Sequence, residues 1–204
     1  MNISTQTPLR DDAFAIDDAT KIKQIAFHFR EIMNIMGLDL SDDSLMNTPH
    51  RVAKMYINEH FKGLNPANKP EVTLFANKYN YKQMVIEKDI SFYSNCEHHF
   101  VPIIGKAHIG YISNGVVVGL SKLNRIVDYY AKRPQVQERL TIQIANEIRE
   151  ALNTEDVAVV IEAKHLCVSS RGIKDDTSLT TTSALFGKFL DSETRSEFIR
   201  LIGK

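Results

Sequence analysis

The 204-residue chain holds two cysteines, and both have histidines close by. Cys96 opens the stretch "CEHH", with His98 two positions on and His99 three. Cys167 lies in "KHLCV", two positions after His165. A Cys-x-x-His spacing lets two ligands reach one ion from a single turn, and thiolate with imidazole is a donor set that zinc favours. If "KHLCV" is a strand, His165 and Cys167 share a face and look into one pocket. Taken singly, each residue reads as a small buried thiol or an ordinary imidazole. The pairing of both cysteines with histidines favours a zinc site. A set of Cys96, His99 and Cys167 leaves a fourth position for water, which is the catalytic rather than the structural pattern. His98 and His165 are then free for proton transfer near neutrality. A closed structural site, with His98 or His165 as fourth ligand, stays open on spacing alone.

Two further groups suggest a bound anion and a bound base. "VVVGLSKLNRIV" runs from an expected strand into an expected helix, with Ser121 as a cap, Lys122 in the first turn and Arg125 one turn on. Helix N-termini receive phosphates well. Spacing alone, however, favours an ordinary capped helix with solvated cations. Arg171 follows Cys167 by four residues and would bring a guanidinium, suited to bidentate phosphate contacts, within reach of the metal. Gln137 and Glu138 open another expected helix. Glu138 reads either as a partner for the helix dipole or as an acceptor for two adjacent N–H groups, the edge that guanine offers and adenine does not.

The elements that must position these residues follow from periodicity and punctuation. Ile22, Ile25, Phe29 and Met33 recur at helical spacing until Gly37. A second helix opens at Thr48, read as its N-cap, with Pro49 just inside and Gly63 at its end. "NPANKPE" is a loop and the best boundary, dividing a helical N-terminal region (residues 1–70, led by a loose arm up to about Asp18) from a remainder over 71–204. There "MVIEKDISFYS" alternates as a strand. Two apolar runs around Asn114-Gly115 predict a hairpin. Helices are expected from near Ser121 and up to near Asn153, then a strand through "DVAVVIEAKHLCVSS", a β-rich stretch through "TTTSALF" and a closing helix capped by Ser192. The class is α+β with an antiparallel sheet.

Composition narrows the function. Lys plus Arg and Asp plus Glu number 25 each, so the formal net charge is zero, which argues against non-specific nucleic-acid binding. The polar, acidic start "MNISTQTPLRDDAFAIDDATK" has the character of neither a signal peptide nor a transit peptide. No apolar run approaches the length needed to span a membrane. The expected compartment is the cytoplasm, where thiols stay reduced.

Several of these stretches together resemble a known family. "TPHRVAKMY", "CEHHFVPIIGKAHIGY", "VVGLSKLNRIVDYYAKRPQVQERLTIQIA", "HLCVSSRG" and "TTTSALFGKF" resemble the motifs of GTP cyclohydrolase I, in order, from about Thr48 to the C-terminus. The departures from the usual pattern, at Pro134, Ser169 and Ser170, touch no ligand. The resemblance implies zinc ligands at Cys96, His99 and Cys167. It implies acid–base histidines at His98 and His165, with Gln137 in the catalytic set beside them. Triphosphate contacts fall on Ser121, Lys122, Arg125 and Arg171, and the guanine-binding glutamate falls on Glu138. It further implies the tunnelling fold, an antiparallel sheet with two helices on one face behind a helical N-terminal region. The sheets of five subunits would close into a barrel, and two rings would stack into a homodecamer with sites between subunits. The implied reaction is zinc-dependent hydrolysis of GTP to 7,8-dihydroneopterin triphosphate and formate, the first step of pterin and folate biosynthesis.

Overall fold

The computed structural model of the chain describes residues 6–203. Two helices lead. Helix α1 (Asp18–Ile35) starts where the Asp17 carboxylate accepts from the Thr20 amide at 2.7 Å, and it ends before Gly37 at φ +78°. Helix α2 (Thr48–Met55) carries Pro49 in its first turn. Its N-cap is Asn47 rather than the expected Thr48, which is already helical. The chain then widens into a π turn over Tyr56–His60 before Gly63.

The rest is built from β1 (Leu74–Ala76), β2 (Met84–Cys96), β3 (Pro102–Ile112), β4 (Val116–Val118), α3 (Leu120–Ala131), β5 (Pro134–Gln135), α4 (Gln137–Leu152), β6 (Val157–His165), a single helical turn α5 (Leu166–Ser169), β7 (Thr180–Leu185) and α6 (Ser192–Ile202). Five strands form one sheet in the order β5-β2-β3-β6-β7, antiparallel except for the short β2–β5 pair. Strand alternation gives the sheet two apolar faces. Val157, Val159 and Ile161 of β6 meet Leu123, Ile126 and Val127 of α3 and Leu140, Ile144 and Ile148 of α4, all buried. Ala158 and Val160 face the other way, toward Phe189 and the α6 residues Phe198 and Ile202. Each fully buried Ile, Leu, Val or Phe contributes on the order of 1.5–3 kcal/mol, so the helix-covered face dominates. This is the tunnelling-fold arrangement: an antiparallel sheet, two helices on one face, and helices before it.

Three elements differ from their sequence-based reading. Asn114-Gly115 does not join a hairpin within the main sheet. Both edges of β3 are taken, by β2 and by β6, so β4 leaves and pairs with β1 in a separate two-stranded sheet. The hairpin lies one strand earlier, where β2 turns into β3 through residues 97–101. Helix α6 begins with Ser192 as its first residue and Asp191 as N-cap. The strand through "KHLCV" ends at His165.

Among the described residues, β5 covers only the Asn95–Cys96 end of the outer edge of β2, and no strand pairs with the outer edge of β7. Two open edges on one sheet are what closure into a ring requires.

Gly63 ties the N-terminal region to α3. Its amide donates to the Lys132 carbonyl at 2.9 Å, and a Cβ placed on it would lie 2.0 Å from the Tyr129 carbonyl oxygen. Since that neighbour is backbone, Gly63→Ala is expected to destabilise the protein by about 1–3 kcal/mol. Urea denaturation followed by circular dichroism checks this, and an unchanged midpoint would rule out the tight approach.

Candidate metal and substrate site

The β2–β3 hairpin tip makes the Cys-x-x-His unit. The Cys96 carbonyl accepts from Phe100 N at 2.8 Å and more loosely from His99 N at 3.4 Å, while Cys96 N donates to the Val101 carbonyl at 2.9 Å. The turn is closed by Phe100 at φ +53°, an uncommon conformation for a bulky residue. Its ring packs on Phe61 with centroids 5.0 Å apart. The third ligand comes from the far side of β3. Ile103 of β3 registers with His165 at the end of β6, and α5 then turns Cys167 back toward the hairpin. The structure therefore corrects the expectation that Cys167 shares a strand face with His165. A helical turn, not strand alternation, aims the thiol.

Ligand atoms of Cys96, His99 and Cys167 all lie within 4.8 Å of one another. A tetrahedral ion with Zn–S bonds of about 2.3 Å holds its sulfurs about 3.8 Å apart. The cluster therefore needs only a small contraction to grip one ion, and two thiols with an imidazole suit zinc. His99 presents Nδ1 to Cys96 Sγ at 3.9 Å, and Arg171 Nη1 donates to His99 Nε2 at 2.9 Å. Burial pushes the Cys167 thiol pKa up, and Cys96 beside it pushes the same way, against a weaker pull from Arg171. A bound cation would reverse that balance and release the thiol proton. His98 also lies near, with Nδ1 3.8 Å from Cys96 Sγ, but its side chain is largely exposed beside Glu97.

His165 stands next to the cluster on a fixed support. Its Nε2 is 2.7 Å from Gln137 Oε1. The Gln137 amide nitrogen is committed to the Thr180 carbonyl at 2.9 Å, the Ile161 carbonyl at 3.1 Å and Thr182 Oγ1 at 3.1 Å. The amide oxygen must then face the imidazole, so neutral His165 carries its proton on Nε2. Burial lowers the pKa of His165, and the Glu138 carboxylate pulls it the other way. Gln137 itself is only 2% exposed. It is placed to position His165 rather than to meet a substrate. Glu138, the next residue, is exposed.

The expected phosphate contacts divide. Arg171 is at the metal cluster. Ser121, Lys122 and Arg125 are not. Asn124 of the same helix donates to Glu87 Oε1 at 2.9 Å, near the opposite end of β2. Cys96 lies nine positions after Glu87 on β2, roughly 30 Å at strand rise. Arg125 lines a different cavity of about 470 Å³ with Asp18, Lys62 and Asp128. Ser121 is not the helix cap either. Gly119 takes that place without a side-chain bond, and Ser121 lies inside the first turn. Sequence reasoning also passed over Glu97 and Arg139, which form an ion pair against the hairpin tip. The signal for it was present: an acid between two candidate ligands and a base directly after Glu138.

Comparison with known proteins agrees with this geometry. The family model described as GTP cyclohydrolase I matches residues 25–203. Similar proteins described as GTP cyclohydrolase 1 come from Flavobacterium johnsoniae, at 58% identity over 98% of this chain and 89% of that one. They come also from Salmonella gallinarum, at 54% identity over 97% and 89%, and from an Enterobacter species, at 52% identity over 97% and 89%. No helix among the described residues is long and apolar enough to cross a membrane.

The Gln137–His165 contact yields a direct test. Gln137→Leu removes the acceptor for His165 Nε2–H and leaves buried carbonyls without donors. It is expected to cost about 1–3 kcal/mol and to free the imidazole tautomer. Thermal melting and ¹⁵N spectra of the His165 ring check both effects, and an unchanged tautomer would remove Gln137 from this role.

Proposed function

The chain belongs to the GTP cyclohydrolase I family, and from that premise we propose that it hydrolyses GTP to 7,8-dihydroneopterin triphosphate and formate at a zinc site formed by Cys96, His99 and Cys167. The observation that carries this reading is the juxtaposition of three converging donor atoms with an anchored imidazole and an exposed carboxylate. When bound, zinc lowers the pKa of coordinated water to about 7 and so makes a nucleophile available at neutral pH.

The remaining work falls to side chains. Glu138 accepts from guanine N1–H and the 2-amino group, which fixes the purine. With Nε2 committed to Gln137, His165 exchanges its proton through Nδ1. Burial disfavours its charged form, so once protonated it is a stronger acid than a free imidazole, suited to giving a proton to N7 and making C8 more electrophilic. Addition of water at C8 is followed by opening of the imidazole ring and loss of C8 as formate. His98, exposed at the hairpin tip, handles protons of the ribose as it opens and rearranges. Arg171 binds and orients the triphosphate, which passes through unchanged.

Ser121, Lys122 and Arg125 serve the triphosphate from a neighbouring subunit. In one chain α3 starts beside the Glu87 end of β2, away from the metal ligands at the Cys96 end. A ring closed through the open edges of β2 and β7 brings the α3 start of one copy to the hairpin tip of another. Stacked into a homodecamer, such rings contain only shared sites.

Incubation of the purified protein with GTP is expected to release formate and to give a fluorescent pterin after oxidation; absence of both overturns the reading. Chelation is expected to abolish activity with far-UV circular dichroism largely retained, because three ligands and an open position are the catalytic pattern. Complete unfolding on chelation would instead identify a structural zinc.

The two neighbouring histidines separate by variant. His99→Ala is expected to lose zinc and activity together. His98→Ala is expected to keep zinc and lose about 10²–10⁴-fold in turnover. Metal content and formate release, measured side by side, decide, and loss of metal in both would mean four protein ligands. The shared site is tested by mixing Arg125→Ala with His165→Ala subunits, each inactive alone. Random reassembly should restore about a quarter of wild-type activity, since one site in four receives two intact halves. No recovery in oligomers shown to be mixed would place each site within one chain.

A further inference from the structure

Three consecutive side chains in the first turn of α4 address three parts of the site. Gln137 holds His165, Glu138 faces outward beside it, and Arg139 reaches the hairpin tip. The Arg139 guanidinium is only 13% exposed. Its Nη2 donates to the Glu97 carboxylate and to the Pro134 carbonyl at 2.9 Å, and its Nε donates to Gln135 Oε1 at 3.0 Å. Gln135 is fully buried and completes the clamp. Its backbone carbonyl accepts from Glu97 N at 3.0 Å, and its amide donates to the Tyr130 carbonyl and to Gln143 Oε1, both at 2.8 Å. Glu97 is thus held by both main chain and side chain.

We propose that Arg139 is a positioning residue for the metal centre: through Glu97 it seats the hairpin tip bearing Cys96, His98 and His99 against the helix turn bearing Gln137 and Glu138. The inference rests on the zinc reading above and concerns how its ligands are kept in register with the base pocket. Glu97 lies between the ligand Cys96 and the candidate proton carrier His98, so any shift of Glu97 displaces both. Beyond it His98, His99 and Phe100 are exposed, and the tip's side chains rest on the Phe100–Phe61 contact and the Arg171–His99 bond. Helix α4, by contrast, is anchored independently by Leu140, Ile144 and Ile148. Loss of the clamp should therefore loosen the tip and leave the fold. A guanidinium suits this place better than an ammonium, because its rigid planar fork aims Nε at the Gln135 amide oxygen while Nη2 meets the carboxylate and the carbonyl. Outer contacts that orient metal ligands are worth about 10- to 100-fold in metal affinity or activity.

The test compares Arg139→Met, Arg139→Lys, Glu97→Gln and the double variant Glu97→Gln/Arg139→Met with wild type. Glu147→Gln serves as a control, removing a buried carboxylate that bonds Tyr130 farther along α4. Zinc affinity is measured by competition with a chromophoric chelator, and the cobalt-substituted proteins are compared by their visible spectra. Arg139→Met and Glu97→Gln are each expected to weaken zinc binding about 10- to 100-fold and to alter the cobalt spectrum. The double variant should be no worse than the worse single one, and Arg139→Lys should recover only part of the loss. Glu147→Gln should lower the melting temperature and leave zinc affinity unchanged. If folded Arg139→Met binds zinc as wild type does, or if Glu147→Gln loses as much affinity, the inference is overturned. Should Arg139→Met fail to fold, Glu97→Gln decides alone, since it reaches the same clamp from its more exposed partner. Wild-type protein that takes up no zinc would overturn the zinc reading itself, an outcome distinct from either.

Discussion

The register of β3 between β2 and β6 is the constraint on which the rest depends. Asn95 pairs with Pro102, and Ile103 pairs with His165. Those pairings bring the end of β2 and the end of β6 to the same edge of the sheet, one strand apart. Cys96 and Cys167, far apart in sequence, meet there because Cys96 ends β2 and Cys167 lies in the helical turn that directly follows β6. A slip of one residue would flip the buried face of β6 toward α6 and also move one thiol out of reach of the other. The same apolar alternation that builds the core against α3 and α4 therefore sets how the candidate metal ligands converge.

Rigidity at this edge comes from buried polar groups with their partners in place. Gln137 and Gln135 are both buried, and each bridges carbonyls and side chains of neighbouring elements. Unsatisfied, either amide would cost about 1–3 kcal/mol. Satisfied, they hold His165 and Glu97 in single orientations. The residues proposed to touch substrate, Glu138, His98 and Arg171, are exposed around this frame. The division is a physical one: groups that must not move are buried and saturated with hydrogen bonds, while groups that must exchange partners stay at the surface.

The open sheet edges and the distant α3 cluster belong to one problem. A long unpaired edge invites pairing with another chain. Here α3, which carries three of the candidate phosphate contacts, also starts beside the Glu87 end of β2, away from the candidate metal ligands at its Cys96 end. In the proposed assembly, association through the edges would answer both, and assembly and catalysis would then be coupled.

What the sequence by itself determined was local. Helix α1 with its stop at Gly37, helix α4 with its end at Asn153, the alternation of β2 and the Cys-x-x-His turn were legible because neighbours within a few residues decide them. The longer motifs carried the family and, with it, the candidate ligand set. Only the tertiary structure decided the rest. Asn114-Gly115 is a strong turn signal, yet whether β4 can pair with β3 depends on whether the edge of β3 is free, and β6 occupies it. "KHLCV" is apolar enough to continue as a strand, but the chain breaks into α5 where the sheet ends, and that break aims Cys167. The Arg139–Glu97 clamp and the Gln137 bridge join residues separated by a strand or more. No local pattern specifies such contacts, because they arise from how packed elements bring distant backbone carbonyls and side chains within hydrogen-bond reach.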